Sequence, residues 1–197
     1  MKNFLAAIGV SFLLTNGANA VTFEFANGAD LLTPTWVATN SFSKGGISGT
    51  VTAHAAAGSG VVSWGGPGIG VYTGGPDDTR VDGMGGDEWL TFSFDTAVRL
   101  ISVHMRSLGP GDDWDVYVDG TKIADESTQN NFFFGDVIAT SFTIRADDPG
   151  ADVSESDDFF IFRMRVAPAP VPLPATGILL IGGLGGLGLL RRKKKRA

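Results

Sequence analysis

Apolar and polar residues alternate along much of the middle of the chain, and this period of two is typical of half-buried β-strands. At the start of the region, Val21, Phe23 and Phe25 share one side, while Thr22 and Glu24 occupy the other. The same alternation predicts further strands over 90–94, 101–106, 114–119, 142–145 and 159–166. Clusters of Gly, Asp and Pro separate many of these strands. Short strands divided by such turns predict an all-β fold, a jelly-roll-like β-sandwich over 21–166.

The last predicted strand carries the longest alternating run. One side of this strand is expected to carry Phe160, Phe162, Met164 and Val166. The other side is expected to carry Phe159, Ile161, Arg163 and Arg165. No long amphipathic helix is predicted between the first strand and the last. Residues 53–57 are rich in alanine but too few to form a stable helix, and glycines follow them.

The N-terminal segment differs from this β-rich region. One cation, Lys2, precedes an apolar run over 4–14, and the run leads to Ala18-Asn19-Ala20. A short cationic start, about ten apolar residues and a small-x-small site form a secretory signal peptide. We therefore predict a signal over 1–20 that signal peptidase removes after Ala20, so that the exported chain begins at Val21.

The C-terminal segment has the composition of a membrane stop. An uncharged, glycine-rich run over 178–190 precedes six consecutive cations: Arg191, Arg192, Lys193, Lys194, Lys195 and Arg196. Cations held on the cytoplasmic side stop translocation, so a helix over about 175–190 is expected to cross the inner membrane. The 178–190 run extends only about 20 Å at about 1.5 Å per residue, less than the roughly 30 Å bilayer core. A marginal span of this kind suits a segment that is removed after export.

Alternate prolines come before that helix. They predict an extended linker over 167–174, because proline fixes the backbone dihedral φ. The linker runs into the motif Val171, Pro172, Leu173, Pro174 and Ala175. Motif, glycine-rich helix and basic end together resemble the VPLPA variant of the PEP-CTERM sorting signal, here over 171–197. The resemblance implies processing by an exosortase, a membrane transpeptidase of bacteria that also make exopolysaccharide, and delivery to the cell surface or extracellular matrix.

A second sorting signal overlaps the first. The residues Leu173-Pro174-Ala175-Thr176-Gly177 also match the LPxTG signal that sortases cut between Thr and Gly. The preceding Val171-Pro172, the lack of a polar spacer after the motif and the short signal peptide favour the exosortase interpretation. Residues 66–105 contain the glycine-rich stretch Gly68-Ile69-Gly70-Val71, an acidic loop, and then Asp87-Glu88-Trp89-Leu90-Thr91-Phe92-Ser93-Phe94-Asp95 leading to Val98-Arg99-Leu100. This order resembles ectodomains common among PEP-CTERM proteins, which implies a jelly-roll fold like that of carbohydrate-binding modules.

Charge and cysteine content limit the partners of the central region. Residues 21–170 hold all 21 acidic residues but only 8 of the 15 cations, so their net charge is near −13. This charge repels phosphate backbones, and nucleic acid is not an expected partner. The chain has no cysteine, so no disulfide stabilises the exported domain.

Calcium is the metal that such an acidic domain would select, because carboxylates on turns supply the oxygen ligands it prefers. Three acidic clusters qualify. They are Asp77, Asp78, Asp82, Asp87 and Glu88, then Asp112, Asp113 and Asp115, and finally Asp147, Asp148, Asp152, Glu155, Asp157 and Asp158. If the first and last strands pair, Glu24 is expected beside Asp157 or Asp158 in a structural calcium site. The alternative is a solvated acidic surface.

Aromatic residues provide the flat rings on which the apolar faces of sugars stack. The candidates are Trp36, Trp64, Tyr72, Trp89 and Tyr117. Trp89 is out of phase with Leu90 and should therefore point away from the core, while Tyr117 shares its side with Asp115. Trp89 and Tyr117 are the predicted ligand-binding pair, with core packing as the alternative for either ring.

Catalysis has little support in the sequence. His54 and His104 are the only histidines, and neither a Gly-x-Ser-x-Gly elbow nor a phosphate-binding glycine loop is present. We therefore predict no catalytic residues, and a structural or exopolysaccharide-associated surface protein. The alternatives are a calcium-stabilised carbohydrate-binding module, an LPxTG sortase substrate and a glycan-active enzyme.

Overall fold

The fold is that of a computed structural model, which describes residues 19–56, 58–75, 79–83, 86–146 and 157–170. These residues form twelve strands and one short 3-10 turn, Ala26–Gly28, and no α-helix occurs among them. The strands are β1 Val21–Glu24, β2 Thr39–Lys44, β3 Ile47–Ala55, β4 Val61–Trp64, β5 Ile69–Tyr72, β6 Val81–Asp82, β7 Glu88–Arg106, β8 Asp115–Val118, β9 Thr121–Ala124, β10 Asn131–Phe133, β11 Ile138–Arg145 and β12 Asp158–Pro168. The predicted all-β class is confirmed.

A large antiparallel sheet runs through the molecule in the order β4-β5-β12-β7-β11-β8-β9. Its central strand, β7, is 19 residues long and has different neighbours along its two halves. The first half pairs with β3 and β11, and the second half pairs with β12 and β10. β1 adds to the free edge of β12, and β2 adds to β3. A single strand therefore supports both halves of the sheet.

The core is a single apolar cluster to which nearly every strand contributes. Within it, Phe23 of β1 lies 5.0 Å from Phe42 of β2, and Phe25, which directly follows β1, lies 5.7 Å from Phe92 of β7. Phe92 also stacks on Phe142 of β11, with ring centroids 4.6 Å apart. Strands distant in the sheet order thus bury their inner sides against each other.

The predicted strand positions are confirmed for all six alternating stretches, although two of them join. Residues 90–94 and 101–106 belong to the single strand β7. The hairpin of β2 and β3 had not been predicted. It turns at Gly45-Gly46, where φ values of 59° and 79° favour glycine.

The alternation predicted for the last strand is wrong in its first half. A bulge between Ile161 and Arg163 places two β12 residues opposite one residue of β7. As a result, Ile161 is buried on the same side as Met164, while Phe162 and Arg163 both lie on the outer side. Bulges characteristically redirect side chains in this way.

The first and last strands lie at the two ends of the predicted exported domain. Val21, the predicted first residue after signal cleavage, begins β1. The strand β12 continues to Pro168 and so includes the first two residues of the segment that was predicted as a linker. A proline is tolerated there because it lies at the end of a strand.

Four predicted features lie outside the described residues: the signal up to Ala18, the sorting motif over 171–175, the helix over about 175–190 and the basic end over 191–196. Among the residues that are described, no helix is long and apolar enough to cross a membrane.

Candidate functional site: a pocket on the outer side of the sheet

A pocket of about 240 Å³ opens on the outer side of strands β7, β11 and β8. It is lined by Trp89, Tyr117, Gly120, Thr143 and Arg145. The two residues predicted to bind a ligand, 28 positions apart in sequence, therefore line the same cavity. Typical small-molecule sites hold roughly 300–1,000 Å³, so this pocket suits one ring-sized group more than a whole cofactor.

The strand register explains why these residues meet. Trp89 on β7 pairs with Arg145 on β11, which in turn pairs with Asp115 on β8. One step along, Thr143 pairs with Tyr117. Paired residues in an antiparallel sheet project to the same side, so the pocket is built by adjacent rows of cross-strand neighbours. We call the outer side of β3, β7, β11 and β8 at this end the pocket face.

Trp89 is held between two neighbours and does not offer a fully free ring. His54, its partner on β3, stacks parallel to it with ring centroids 5.2 Å apart and an interplanar angle of 6°. The guanidinium carbon of Arg145, on the opposite neighbouring strand, lies 4.9 Å from the indole centroid. Arg145 also donates to Asp87 at 2.7 Å. The indole is thus fixed in position, which lowers the entropy cost of binding a ligand against its free edge.

Tyr117 is fixed from the other side of the pocket. Its hydroxyl donates to the buried carboxylate of Asp115 at 3.4 Å, and Lys122 lies 5.5 Å from its ring centroid. The ammonium group of Lys122 contacts Asp115 at 2.7 Å and Asp125 at 2.7 Å. The hydrogen bond and ion pair from Lys122 lower the pKa of the Asp125 carboxyl. The ammonium group of Lys122, beside the ring of Tyr117, is therefore already ion-paired with two carboxylates.

Hydroxyl groups continue the pocket face away from the aromatic residues. Thr143 in the pocket shares a hydrogen bond of 3.0 Å with Thr91, which pairs in turn with Thr52 on β3. Thr52 and Thr39 of β2 share another, also of 3.0 Å. A row of threonine hydroxyls thus crosses four strands and ends at Tyr117.

Two groups on the pocket face have shifted pKa values. Burial lowers the pKa of His54 below its usual 6.5, so the ring stacked on Trp89 is neutral at physiological pH. Burial also raises the pKa of Asp119, but hydrogen bonds from Thr140 and Ser141 outweigh it, and the net shift is downward. One oxygen of Asp119 accepts four bonds of 2.9 to 3.1 Å from the amides and hydroxyls of those two residues. They tie the β8–β9 turn to β11.

Members of two of the three predicted acidic clusters, the first and the third, are buried near the junction of β6 and β12. Asp82, Glu88 and Asp157 are 5%, 2% and 2% exposed. Their carboxylates accept backbone amides: Glu88 accepts the amide of Asp82 at 3.3 Å, and Asp157 that of Asp113 at 2.9 Å. Among the described residues, no group of three or more acidic or histidine side chains is arranged to hold a metal ion.

The predicted combination of Glu24 with Asp157 or Asp158 is wrong. The first and last strands do pair, but Val21 lies opposite Val166, so Glu24 lies opposite Arg163. Asp158 lies five residues before Arg163 on β12, roughly 17 Å from it at 3.3 Å per residue. The Asp158 carboxylate forms an ion pair with Arg80. Calcium binding itself stays a prediction, because residues 76–78 and 147–156 lie outside the described part of the chain.

The remaining aromatic candidates lie elsewhere. Trp36 is 45% exposed, and its ring lies 5.2 Å from that of Tyr72. Trp64 is half-buried against the core. The sequence did not single out Arg145, Thr143 or His54, although Arg145 and Thr143 had predicted outward positions in a predicted strand.

Comparison of the chain with protein-family models, with curated proteins and with solved structures found no match.

Proposed function

We propose that the chain is an exported, non-catalytic protein of the cell surface or extracellular matrix that associates with exopolysaccharide through the pocket face. The observation that carries this proposal is the meeting of Trp89 and Tyr117 in one pocket beside a row of threonine hydroxyls. Aromatic edges and hydroxyls match the alternating apolar and polar surface of a sugar ring. The ring contacts across the core support a β-sandwich of jelly-roll type as the scaffold.

Binding is favoured over hydrolysis by the composition of the pocket. Glycoside hydrolysis uses a pair of carboxyl groups on either side of the scissile bond. The described lining supplies aromatic rings, a threonine hydroxyl and a guanidinium, and Arg145 is paired with Asp87. Asp115, the carboxylate nearest Tyr117, is buried and paired with Lys122. The lining of the pocket therefore suits binding of a saccharide without hydrolysis of its glycosidic bonds.

Retention on the exopolysaccharide of the producing cell tests this function. Trp89→Ala and Tyr117→Ala should each weaken retention by up to about tenfold, the effect of one good aromatic contact. Trp36→Ala is the matched control, because it removes an exposed aromatic ring away from the pocket. Equal losses in Trp36→Ala and Trp89→Ala, or no retention of the native protein, would argue against the pocket. Release of new reducing ends would identify an enzyme instead.

Sorting at the C-terminus is the second part of the proposal, and it rests on the motif Val171 to Ala175 followed by the apolar and basic segments. Mass spectrometry of the mature C-terminus tests it directly. We expect an end at or near the motif, without the basic residues. An end at Thr176 would favour the LPxTG sortase alternative, and an intact Arg196-Ala197 end would contradict processing altogether.

Calcium remains the second candidate feature of the domain, and it rests on the acidic clusters of the sequence, which include residues 77–78 and 147–155 outside the described part of the chain. If calcium stabilises the domain, a chelator should lower the melting temperature, and added calcium should restore it. An unchanged melting curve together with no heat of calcium binding would remove this candidate.

A further inference from the structure

The eight cations of the acidic domain fall into two groups. Five of them are ion-paired, and the pairs are Lys44 with Asp30, Arg80 with Asp158, Arg99 with Asp136, Lys122 with Asp115 and Asp125, and Arg145 with Asp87. The other three, Arg106, Arg163 and Arg165, form no ion pair within the described part of the chain. Because the domain contains 21 carboxylates, the lack of an ion pair at these three arginines among the described residues needs a structural reason.

The three remaining arginines lie together on the outer side of β7 and β12. Arg163 pairs with His104, and Arg165 pairs with Ser102. Arg106 is two residues beyond His104 on β7 and is also exposed. We call this surface, made of Arg106, Arg163, Arg165, His104 and Phe162, the arginine face.

The bulge in β12 creates the centre of the arginine face. Because it places Phe162 on the outer side, the guanidinium carbon of Arg106 lies 3.3 Å from that ring's centroid, and that of Arg163 lies 5.7 Å away. The ring of His104 meets Phe162 at 5.6 Å, and His104 is hydrogen-bonded to Asn131 on β10. The aromatic ring holds two guanidinium groups at the surface without neutralising either.

A carboxylate also lies on this face among the described residues. Glu24 on β1 lies opposite Arg163, but no ion pair joins the two side chains. Three arginines that have no ion pair within the described part of the chain therefore face solvent beside Glu24, on a domain whose net charge is near −13. A local cationic surface on so acidic a protein attracts anions that the rest of the molecule repels.

The spacing and shape of the face select the kind of anion. Arg163 and Arg165 are two residues apart on a strand and so rise about 7 Å apart along one line. Guanidinium groups bind carboxylates in a bidentate manner, and a line of them matches an anion with repeated charges. Phe133, which is 70% exposed and pairs with Ser102, adds apolar surface beside the line. Repeated carboxylates next to apolar ring faces are the chemistry of a uronate-containing polysaccharide.

We infer that the arginine face binds a carboxylated polysaccharide. This inference is independent of the pocket face, because none of the residues that line the pocket belongs to it. The long strand β7 supplies Trp89 to one face and His104 and Arg106 to the other. The protein would then contact matrix polymer at two separate places.

Binding of the full exported protein to immobilised polygalacturonate tests the inference. Arg163→Gln combined with Arg165→Gln should weaken binding by about tenfold or more, since two charge-assisted contacts are lost. Lys44→Gln combined with Arg99→Gln is the matched control, because it changes the net charge equally at paired cations. Binding by the native protein should also fall steeply between about 0.05 M and about 0.3 M salt. Both variants alter exposed or half-exposed side chains, and unchanged melting curves would confirm that they fold.

Four results would overturn the inference. They are absence of binding to polygalacturonate, equal weakening by the two double variants, binding that matches retention on neutral dextran, and binding to anionic phospholipid vesicles without binding to polygalacturonate. A further measurement determines the molecular mass of the exported protein in solution by light scattering. Self-association that the Arg163→Gln and Arg165→Gln variant abolishes would assign the face to a second copy of the chain instead. Loss of polygalacturonate binding in the Arg163→Gln and Arg165→Gln variant reports on the arginine face, and loss of exopolysaccharide retention in Trp89→Ala reports on the pocket, so failure of one proposal is distinguishable from failure of the other.

Discussion

The pocket face and the arginine face are built on the same strand, yet they treat charge in opposite ways. On the pocket face, Arg145 is paired with Asp87, and Lys122 with Asp115. On the arginine face, Arg106 and Arg163 contact an aromatic ring, and no ion pair neutralises them among the described residues. The difference shows that each half of β7 and the strands beside it together decide which charges reach solvent.

The neighbours differ in where their carboxylates lie. The first half of β7 is followed across the sheet by β11 and β8; Asp87 directly precedes β7, and Asp115 begins β8. The second half is flanked by β12 and β10, whose outward residues there are mainly arginine, asparagine and phenylalanine. One face is therefore a rigid, internally satisfied site, and the other is an open cationic surface.

The strongest way to break the comparison is to remove the support that both faces share. Phe92 is a residue of β7 whose side chain lies in the core, in contact with the rings of Phe25 and Phe142. Phe92→Ala should lower the free energy of unfolding by about 3–5 kcal/mol, because it deletes a fully buried ring. Denaturant unfolding measures this loss, and polysaccharide binding at both faces should weaken with it. Phe133→Ala, at a 70% exposed ring, is the control and should change stability by less than about 0.5 kcal/mol.

A smaller change should make the pocket face resemble the arginine face. Asp87→Asn removes the partner of Arg145, whose 2.7 Å ion pair is largely shielded from solvent. We expect a loss of about 1–2 kcal/mol in stability, less than for a fully buried pair. The freed guanidinium should give the pocket a new salt-sensitive affinity for carboxylated sugars. Titration with galacturonate at low and high salt measures it, and equal affinity of Asp87→Asn and native protein would show that the pairing does not control the pocket.

A third change weakens the turn that closes the pocket next to Gly120. Asp119→Ala removes four hydrogen bonds to one carboxylate oxygen, although that residue is exposed. The expected loss is about 1 kcal/mol, measured by thermal unfolding. Asp119→Asn keeps one acceptor oxygen and should recover part of it. Identical melting temperatures for native protein and Asp119→Ala would contradict a structural role for this turn.

The smallest expected effect is a dependence on pH that belongs to the pocket face. Because burial lowers the pKa of His54, its neutral form is favoured in the folded state. The stability linked to His54 is therefore fully present above pH 6.5, its usual pKa, and is lost as the pH falls through the lower pKa of the folded state. Melting temperatures of native protein and His54→Phe, compared between about pH 8 and about pH 5, measure this difference. A loss of equal size in both proteins would exclude His54 as its source.

Sequence patterns alone predicted much of what lies within single strands. The alternation around Leu90 correctly placed Trp89 on the outer side and the strand interior in the core. The first and last strands, whose pairing was the condition for the expected calcium site, do pair. Local period-two patterns suffice for these assignments because side chains on a strand alternate between its two sides.

What the sequence did not reveal depends on register and on irregularity. An offset along β12 decides whether Glu24 meets Asp158 or Arg163, and no local pattern encodes that offset. The bulge after Ile161 was invisible because apolar residues stand on both sides of it. The arginine face was missed for the same reason, although Arg163 and Arg165 at alternate positions of a strand in an acidic domain were an available signal.

The strand β12 also determines how the domain would carry a mechanical load. It ends at Pro168, just before the segment of the proposed sorting signal, and it is hydrogen-bonded to β7 from Val98 to Arg106. Bonds in an antiparallel ladder lie perpendicular to the strands, so a pull along β12 strains all of them together instead of opening them in sequence. A copy anchored through its C-terminal segment and held by polymer at the pocket face would transmit tension through this ladder in shear, the direction in which a pair of strands resists separation most strongly.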